Sequence, residues 1–361
     1  MYALARPLLF ALDPHTAHAL ASLAIAPLEH SSILRALVRP RFDAALRTQV
    51  LGLDFPTPVG LAGGFDKNAL RPRALAALGF GFLELGTVTA RPQDENPRPN
   101  LHRLPEDRAL VNRLGFPNDG AATVAARVRK KRGGIPVPVG ISIGKSRSVP
   151  LDPIDGAIAD YVESFQAVRS ACDFVVVNVS SPNTKDLRAM QGADIARALF
   201  SALKKADEEA SLGRAGRSVP ILIKIAPDLS DAELESLLAV VEELEIPGVV
   251  ATNTTLSREG VHGDASALEG GLSGPPLHAR SVAMVRKIRA RLGARTAIIG
   301  VGGIETGADA VDFIRAGADL VQLYTAFVYR GPRAAALIAR EALAIARKDG
   351  AASLADLVGR G

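Results

Sequence analysis

The segment Val175-Val176-Val177-Asn178-Val179-Ser180-Ser181-Pro182-Asn183-Thr184 sets two serines and two side-chain amides directly after a run of valines. Consecutive β-branched residues read as a buried strand. Polar groups gathered past the C-terminal end of such a strand are where α/β barrels and open α/β sheets keep their chemistry. A base in this position would be a serine hydroxyl, because the only cysteine, Cys172, lies upstream of the strand.

Other apolar runs end the same way. Val59–Ala62 leads into Gly63-Gly64-Phe65-Asp66-Lys67-Asn68, and Phe82–Gly86 ends at Thr87. A later stretch reads Asn112-Arg113-Leu114-Gly115-Phe116-Pro117-Asn118, and another Thr252-Asn253-Thr254-Thr255. A single loop asparagine is usually a turn former. Lys224 is harder to set aside, because it sits in mid-strand between isoleucines, within Leu222-Ile223-Lys224-Ile225. An ammonium buried without an anion is costly, so this lysine is expected to face a ligand. The plainer alternative is that it snorkels to the strand end.

Gly300-Val301-Gly302-Gly303 and Tyr324-Thr325 follow the last two strands, with Gly270-Gly271-Leu272-Ser273-Gly274 available to close the same pocket. In barrels these positions often bind phosphate through backbone N–H groups. A dinucleotide fingerprint from Gly300 fails, since Glu305 occupies the third glycine position. A P-loop at Gly140–Ser146 is one residue short. The phosphate ligand is therefore not expected to be an ordinary NAD or ATP. A flat anionic heterocycle beside a phosphorylated cofactor suits the asparagines and lysines better.

These residues need a scaffold that brings many strand ends together. Eight short runs qualify: Val59–Ala62, Phe82–Gly86, Val137–Ile143, Phe174–Val179, Ile221–Ile225, Val249–Thr252, Ala297–Val301 and Leu320–Leu323. Helical patterns separate most of them, such as Asp231–Leu244 behind Ser230. Alternation of this kind implies a parallel sheet, and eight units fit a (β/α)8 barrel, with a doubly wound sheet as the runner-up. Insertions at 88–118 and 253–275 break the repeat, and long loops at barrel strand ends are usually functional.

The 361 residues carry a net charge of +5, too weak to argue for nucleic acid. The run Arg127–Arg132 sits where a helix should end, which suits the helix dipole. One cysteine fits a reducing compartment, and no motif spaces His and Cys as metal ligands, so no metal is expected. Residues 1–46 differ from the rest. Asp13-Pro14 reads as a helix start, and a second short helix is expected from about Ser32 to Val38. The uncharged stretch Pro14–Leu28 is shorter than the roughly 20 residues a bilayer requires. Two readings stay open: a helical cap on the main domain, or a monotopic pair that lies on a membrane.

In order along the chain, Ala62–Asn68, Asn112–Phe116, Asn178–Thr184, Lys224, Thr252–Thr254, Gly270–Gly274 and Gly300–Gly303 resemble the dihydroorotate dehydrogenase family. The resemblance runs from about residue 50 onward, and the N-terminal helices agree with it. It implies a (β/α)8 TIM barrel at residues 47–361 that binds FMN at its mouth and oxidises dihydroorotate to orotate in pyrimidine (UMP) biosynthesis. It also implies an N-terminal helical extension at 1–46 for membrane association and quinone access. Serine as the base, together with the extension, resembles the quinone-reducing, membrane-associated class rather than the soluble class, which uses cysteine. Ser181 is then the catalytic base. Lys67, Asn112, Arg113, Leu114, Gly115, Phe116, Asn178, Asn183, Asn253 and Thr254 would hold the substrate. Gly63, Gly64, Phe65, Asp66, Lys67, Thr87, Ser142, Asn178, Lys224, Thr252, Gly274, Gly302, Gly303, Tyr324 and Thr325 would hold FMN. His18, Arg103 and Tyr324 are the candidates for a ubiquinone-like head group.

Many family members have asparagine where this chain has Ser142, a shorter side chain with fewer donors. The class implies no iron–sulfur partner subunit and no nucleic acid. With no transmembrane anchor or targeting segment in the sequence, a peripheral place on the cytoplasmic face of a bacterial cell membrane is the simplest expectation. The competing readings are an FMN barrel acting on another dihydropyrimidine or passing electrons to fumarate or NAD, and a non-catalytic phosphate-ligand barrel.

Overall fold

The computed structural model describes residues 2–184, 187–212, 218–262 and 265–361. Eight parallel strands close into a barrel: β3 (Val59–Leu61), β4 (Leu83–Val88), β7 (Val139–Ile143), β8 (Phe174–Asn178), β9 (Ile221–Ile225), β10 (Gly248–Ala251), β12 (Ala297–Val301) and β13 (Leu320–Leu323). They succeed one another round the barrel in chain order, and β13 pairs with β3 to complete the circle. Closure excludes the doubly wound sheet. Helices come after the strands: α4 (Pro72–Ala77), α5 (Ala121–Lys131), α6 (Ile154–Val168), α7 (Ala193–Ser211), α8 (Asp231–Glu243), α9 (His278–Leu292), α10 (Gly307–Ala316), then α11 (Thr325–Arg330) and α12 (Ala334–Lys348). Ser230 starts α8 with a capping box to Glu233.

Every position of these strands is buried. This is why the sequence shows continuous apolar runs instead of alternation. Strand parity then decides the side. Phe82, Phe174, Val176, Leu222, Val250, Ile299 and Leu320 fill the barrel interior. Leu83, Leu85, Val175, Val177, Ile221, Ile223 and Val321 pack beneath the helices. Two residues beyond Phe82, Val176, Leu222, Val250 and Leu320, on the same side, stand Glu84, Asn178, Lys224, Thr252 and Gln322. The lower interior is plugged by aromatic rings. Phe55 meets Phe82 edge-on at 5.4 Å, from a hairpin of β1 (Thr48–Val50) and β2 (Leu53–Phe55). Glycine is required beside these rings: a Cβ on Gly60 would lie 2.4 Å from Phe82, and one on Gly140 2.2 Å from Phe174.

The two insertions are not simple loops. They pair with each other across the mouth as an antiparallel sheet of β5 (Leu101–Leu104), β6 (Ala109–Asn112) and β11 (Gly271–Ser273). The N-terminal segment forms three helices, α1 (Tyr2–Ala11), α2 (Pro14–His30) and α3 (Ser32–Val38). Asp13 Oδ1 caps α2 by accepting from His15 and Thr16 N–H, at 3.0 and 3.1 Å. Helix α1 was not expected, because Pro7 interrupts its pattern. It is held from outside, by Tyr2 Oη donating to Val328 O and by Phe10 against the Tyr329 ring at 5.1 Å. No helix among the described residues is long and apolar enough to cross a membrane.

Candidate active site

A cleft opens at the C-terminal ends of the barrel strands, roofed in part by the three-stranded sheet. Its walls carry Gly63, Gly64, Lys67 and Thr87 from the first two strand ends, and Asn112, Leu114, Gly115 and Phe116 from the first insertion. Asn178, Ser181, Asn183, Lys224, Thr252, Asn253 and Thr254 come from β8, β9 and β10, and Gly274, Gly302, Gly303, Tyr324 and Thr325 from the far side. Residues separated by more than 250 positions thus converge, as the sequence pattern expects.

Four expected residues do not reach the cleft. Phe65 turns away and packs edge-on against His18 at 5.2 Å and Phe327 at 4.9 Å. The Asp66 carboxylate serves its own turn, accepting from Leu70 and Arg71 N–H at 2.8 Å each. Arg113 comes directly after the last residue of β6 and so points opposite to Asn112, out to Glu269 at 3.2 Å. Ser142 lies inside the barrel below the cleft, with its hydroxyl 2.9 Å from Thr87 Oγ1. Phe65 and Asp66 line the second cavity instead.

The polar groups form two hydrogen-bonded sets. Asn178 donates to Thr87 Oγ1 at 3.0 Å, and Asn253 donates to Asn178 Oδ1 at 3.2 Å and to Ser180 Oγ at 3.0 Å. Asn183 donates its side-chain amide to Asn112 Oδ1 at 3.2 Å and its backbone N–H to Ser181 Oγ at 3.2 Å. Arg188 braces the serine loop from behind. It donates to Ser180 O and Thr254 O and pairs with Asp228 at 2.8 Å. Ser181 itself is 3% exposed.

Lys224 has an anionic partner that sequence reasoning missed. Glu84, fully buried on β4, accepts from Lys224 Nζ at 3.1 Å, and Gln322 Nε2 donates to its other oxygen at 2.8 Å. The signal was present: in Phe82–Gly86, Glu84 shares parity with the interior Phe82. Lys67 donates to Gly64 O at 2.7 Å, and burial pulls its pKa down to about 8. Burial pushes Asp66 above the usual carboxylate range and raises Tyr324 to about 12.

The match covers the whole barrel. Residues 45–345 fit the dihydroorotate dehydrogenase family. The chain belongs to that family. It is 44% identical over 350 residues to a dihydroorotate dehydrogenase (quinone) of Delftia acidovorans, covering 96% of this chain and 98% of the relative. It is 48% identical over 335 residues to that of Clavibacter michiganensis subsp. michiganensis, covering 91% and 93%. Among solved structures it is similar to a dihydroorotate dehydrogenase from Eimeria tenella crystallised with ferulenol. There the TM-score is 0.88 at 36% identity, with 96% of this chain and 95% of that one covered.

The family is flavin-dependent, and the cleft fits such a group. Gln322 Oε1, Thr254 Oγ1 and Asn183 Oδ1 are buried there without a hydrogen-bond partner among the described residues. Buried polar atoms of this kind need an occupant. Side chains are excluded at two of the lining glycines, since a Cβ on Gly63 would lie 2.3 Å from Glu84 Oε1 and one on Gly303 (φ +76°) 2.7 Å from His278 N, so these positions present only backbone to an occupant.

A second cavity lies behind this wall, between the barrel and the N-terminal helices. His18, Arg103 and Tyr324 all line it, with Phe10, Ala21, Phe65 and Phe327. Lys67 and Tyr324 border both cavities. Arg103 makes no surface ion pair among the described residues. It donates to Leu9 O at 3.0 Å and to Leu12 O, and lies over the Phe10 ring at 4.8 Å. Desolvation and the nearby Lys67 charge hold the His18 pKa below its ordinary value. Elsewhere, His278, Asp309 and Asp312 bring one ligand atom each within 4.8 Å of one another, a grouping no sequence spacing reveals. Asp309 there already closes the capping box of α10 with Thr306, and His278 bonds Asp312 at 3.3 Å.

Proposed function

We propose that this chain oxidises dihydroorotate to orotate, with FMN as its flavin and a membrane quinone as final acceptor. The relatives named for the quinone-dependent enzyme, matched over nearly their full length, support the reaction, and the family's role places it in pyrimidine biosynthesis. The observation that carries the residue assignment is the position of Ser181. It is an enclosed hydroxyl at the end of β8, ringed by the amides of Asn112, Asn178, Asn183 and Asn253.

In this reading the four amides and Lys67 bind the substrate's ring and carboxylate. They fix its orientation before reaction, which removes much of the entropic barrier. Leu114, Gly115 and Phe116 exclude water on one side. Ser181 takes the proton from C5 of the substrate. Bound FMN supplies the hydride acceptor for C6 and stores the electron pair. Gly63, Gly64, Thr87, Thr252, Gly274, Gly302, Gly303, Tyr324 and Thr325 would hold it, with Lys224 beside the pyrimidine edge of its ring. The Lys224 ammonium, fixed by Glu84, offers positive charge where reduction develops negative charge.

Quinone would meet the far side of the Lys67–Tyr324 wall, in the second cavity, with His18, Arg103 and Tyr324 at its head group. Residues 1–46 act as the membrane-associating and quinone-access segment, and 47–361 as the catalytic barrel, peripheral on the cytoplasmic face of the cell membrane. The exposed leucines of α1 to α3 support that placement. The decisive test is a steady-state assay with dihydroorotate and, in turn, a ubiquinone analogue, fumarate and NAD. Orotate formed only with quinone is expected. Orotate formed with fumarate or NAD instead would overturn the acceptor, and no orotate with any of them would overturn the substrate.

A further inference from the structure

Helix α2 has one buried residue, and it is a carboxylate. Glu29 is 1% exposed. Its Oε2 accepts the backbone N–H groups of Arg73, at 3.0 Å, and Ala74, at 3.1 Å, in the first turn of α4. Its Oε1 ion-pairs with Lys131 Nζ at 3.2 Å, at the end of α5. Lys131 also donates to Ala69 O at 3.0 Å and Leu70 O at 2.7 Å. Arg71 donates back to Ser22 O on α2 at 3.3 Å.

These bonds tie residues 69–74 to the extension and to α5, and Asp66 in turn accepts from Leu70 and Arg71 N–H. This part of the chain walls the second cavity: Asp66, Lys67, Asn68, Leu70 and Arg71 line it together with His18. Apolar packing contributes only part of the attachment: Ile25 of α2 packs against the core, while Leu20 and Leu23 are exposed. A buried carboxylate is costly unless partnered; here Oε2 takes two helix-start N–H groups, while Oε1 has the Lys131 charge beside it but no hydrogen bond among the described residues. The N–H groups belong to α4 and the ammonium to α5, so the carboxylate on α2 fixes the distances among three elements.

We propose that Glu29 is a positioning residue for quinone reduction: it sets the spacing between α2 and the 66–71 segment, and so the width of the cavity between them. This rests on the reading of that cavity as the quinone's. Glu29 touches neither cleft, so its removal should separate the two half-reactions.

The test is Glu29→Gln in the full-length, flavin-loaded enzyme. An amide keeps the side chain's length but turns one donor toward other donors. The KM for a ubiquinone analogue is expected to rise about fivefold or more. Stopped-flow reduction of the flavin by dihydroorotate should keep its wild-type rate. An unchanged quinone KM, or a flavin reduction slowed in the same proportion, would overturn the proposal. Lys131→Gln, which removes the ion pair from outside α2, should raise the same KM to a smaller extent. If Glu29→Gln does not fold, an unchanged quinone KM in Lys131→Gln overturns the proposal on its own. Ala21→Phe, which fills the cavity, distinguishes a failed cavity assignment from a failed positioning role. If it leaves quinone kinetics untouched, the cavity assignment has failed. If it raises the KM while the Glu29 and Lys131 variants do not, only the positioning role has.

Discussion

In the proposed role Ser181 is a weak base by nature, and its surroundings must do the rest. In that reading enclosure and the neighbouring amides would hold the substrate carbon and the hydroxyl in one orientation, so that the proton is taken in a defined direction. Replacing it by alanine removes the acceptor and leaves the cradle intact. Ser181→Ala should therefore keep its flavin but reduce it with dihydroorotate about 100-fold more slowly or worse. A near-normal rate in stopped-flow would remove Ser181 from the role. Lys67 makes a different prediction, because burial sets its pKa to about 8 in the free protein. Below that pH the ammonium is present and attracts the substrate's carboxylate. Above it the free enzyme must first regain a proton. Orotate affinity should be level below about pH 8 and then fall, by up to tenfold per pH unit. Lys67→Met should bind orotate weakly and without that bend in the profile. A wild-type titration that stays flat to pH 10 would contradict the assignment of Lys67 to the carboxylate.

At the scale of elements, legibility in the sequence tracked how local each decision is. The barrel strands were readable because two-sided burial writes itself as unbroken β-branched runs; Phe174–Asn178 and Ile221–Ile225 end within one residue of where the pattern put them. The strand-end residues were readable as a set for the same reason: once a strand is placed, the residues just past its C-terminal end must lie at the mouth. The role of each side chain there was less so. Asp66 was drawn into its own turn, and Arg113 fell on the outward side of β6. Glu84 was visible within a strand, but only parity against Phe82 shows that it faces inward toward Lys224. The sheet over the mouth was not legible at all. Its strands β5 and β6 are four residues each, and β11 joins β6 from about 160 positions away. Such pairing is decided by tertiary context, not by propensity. Helix α1 belongs to the same class, since Pro7 argues against it locally and contacts to α11 hold it in place.

The whole molecule puts its two cavities on either side of one wall and its apolar surface on one end. Of the thirteen large hydrophobic side chains exposed among the described residues, nine lie in residues 4–38: Leu4, Leu8, Leu12, Leu20, Leu23, Ile33, Leu34, Leu37 and Val38. A soluble surface scatters such residues singly, whereas a contiguous patch marks an interaction site. The second cavity is lined by residues of α1 and α2, so in the proposed function a lipid-soluble ligand would reach Tyr324 without crossing bulk water. Leu8 and Leu37, at 75% and 76% exposed, are clear of the cavity lining. Fully burying a leucine is worth roughly 1.5–3 kcal/mol, so exchanging both for glutamate should weaken binding to lipid vesicles at least tenfold. Flavin reduction by dihydroorotate should be unchanged, and turnover with a short, water-soluble quinone analogue should survive. Turnover with a long-chain quinone held in the vesicles should fall with the binding. If the double variant cosediments with vesicles as the wild type does, the helices do not meet the membrane through this face, and the extension is a cap on the barrel.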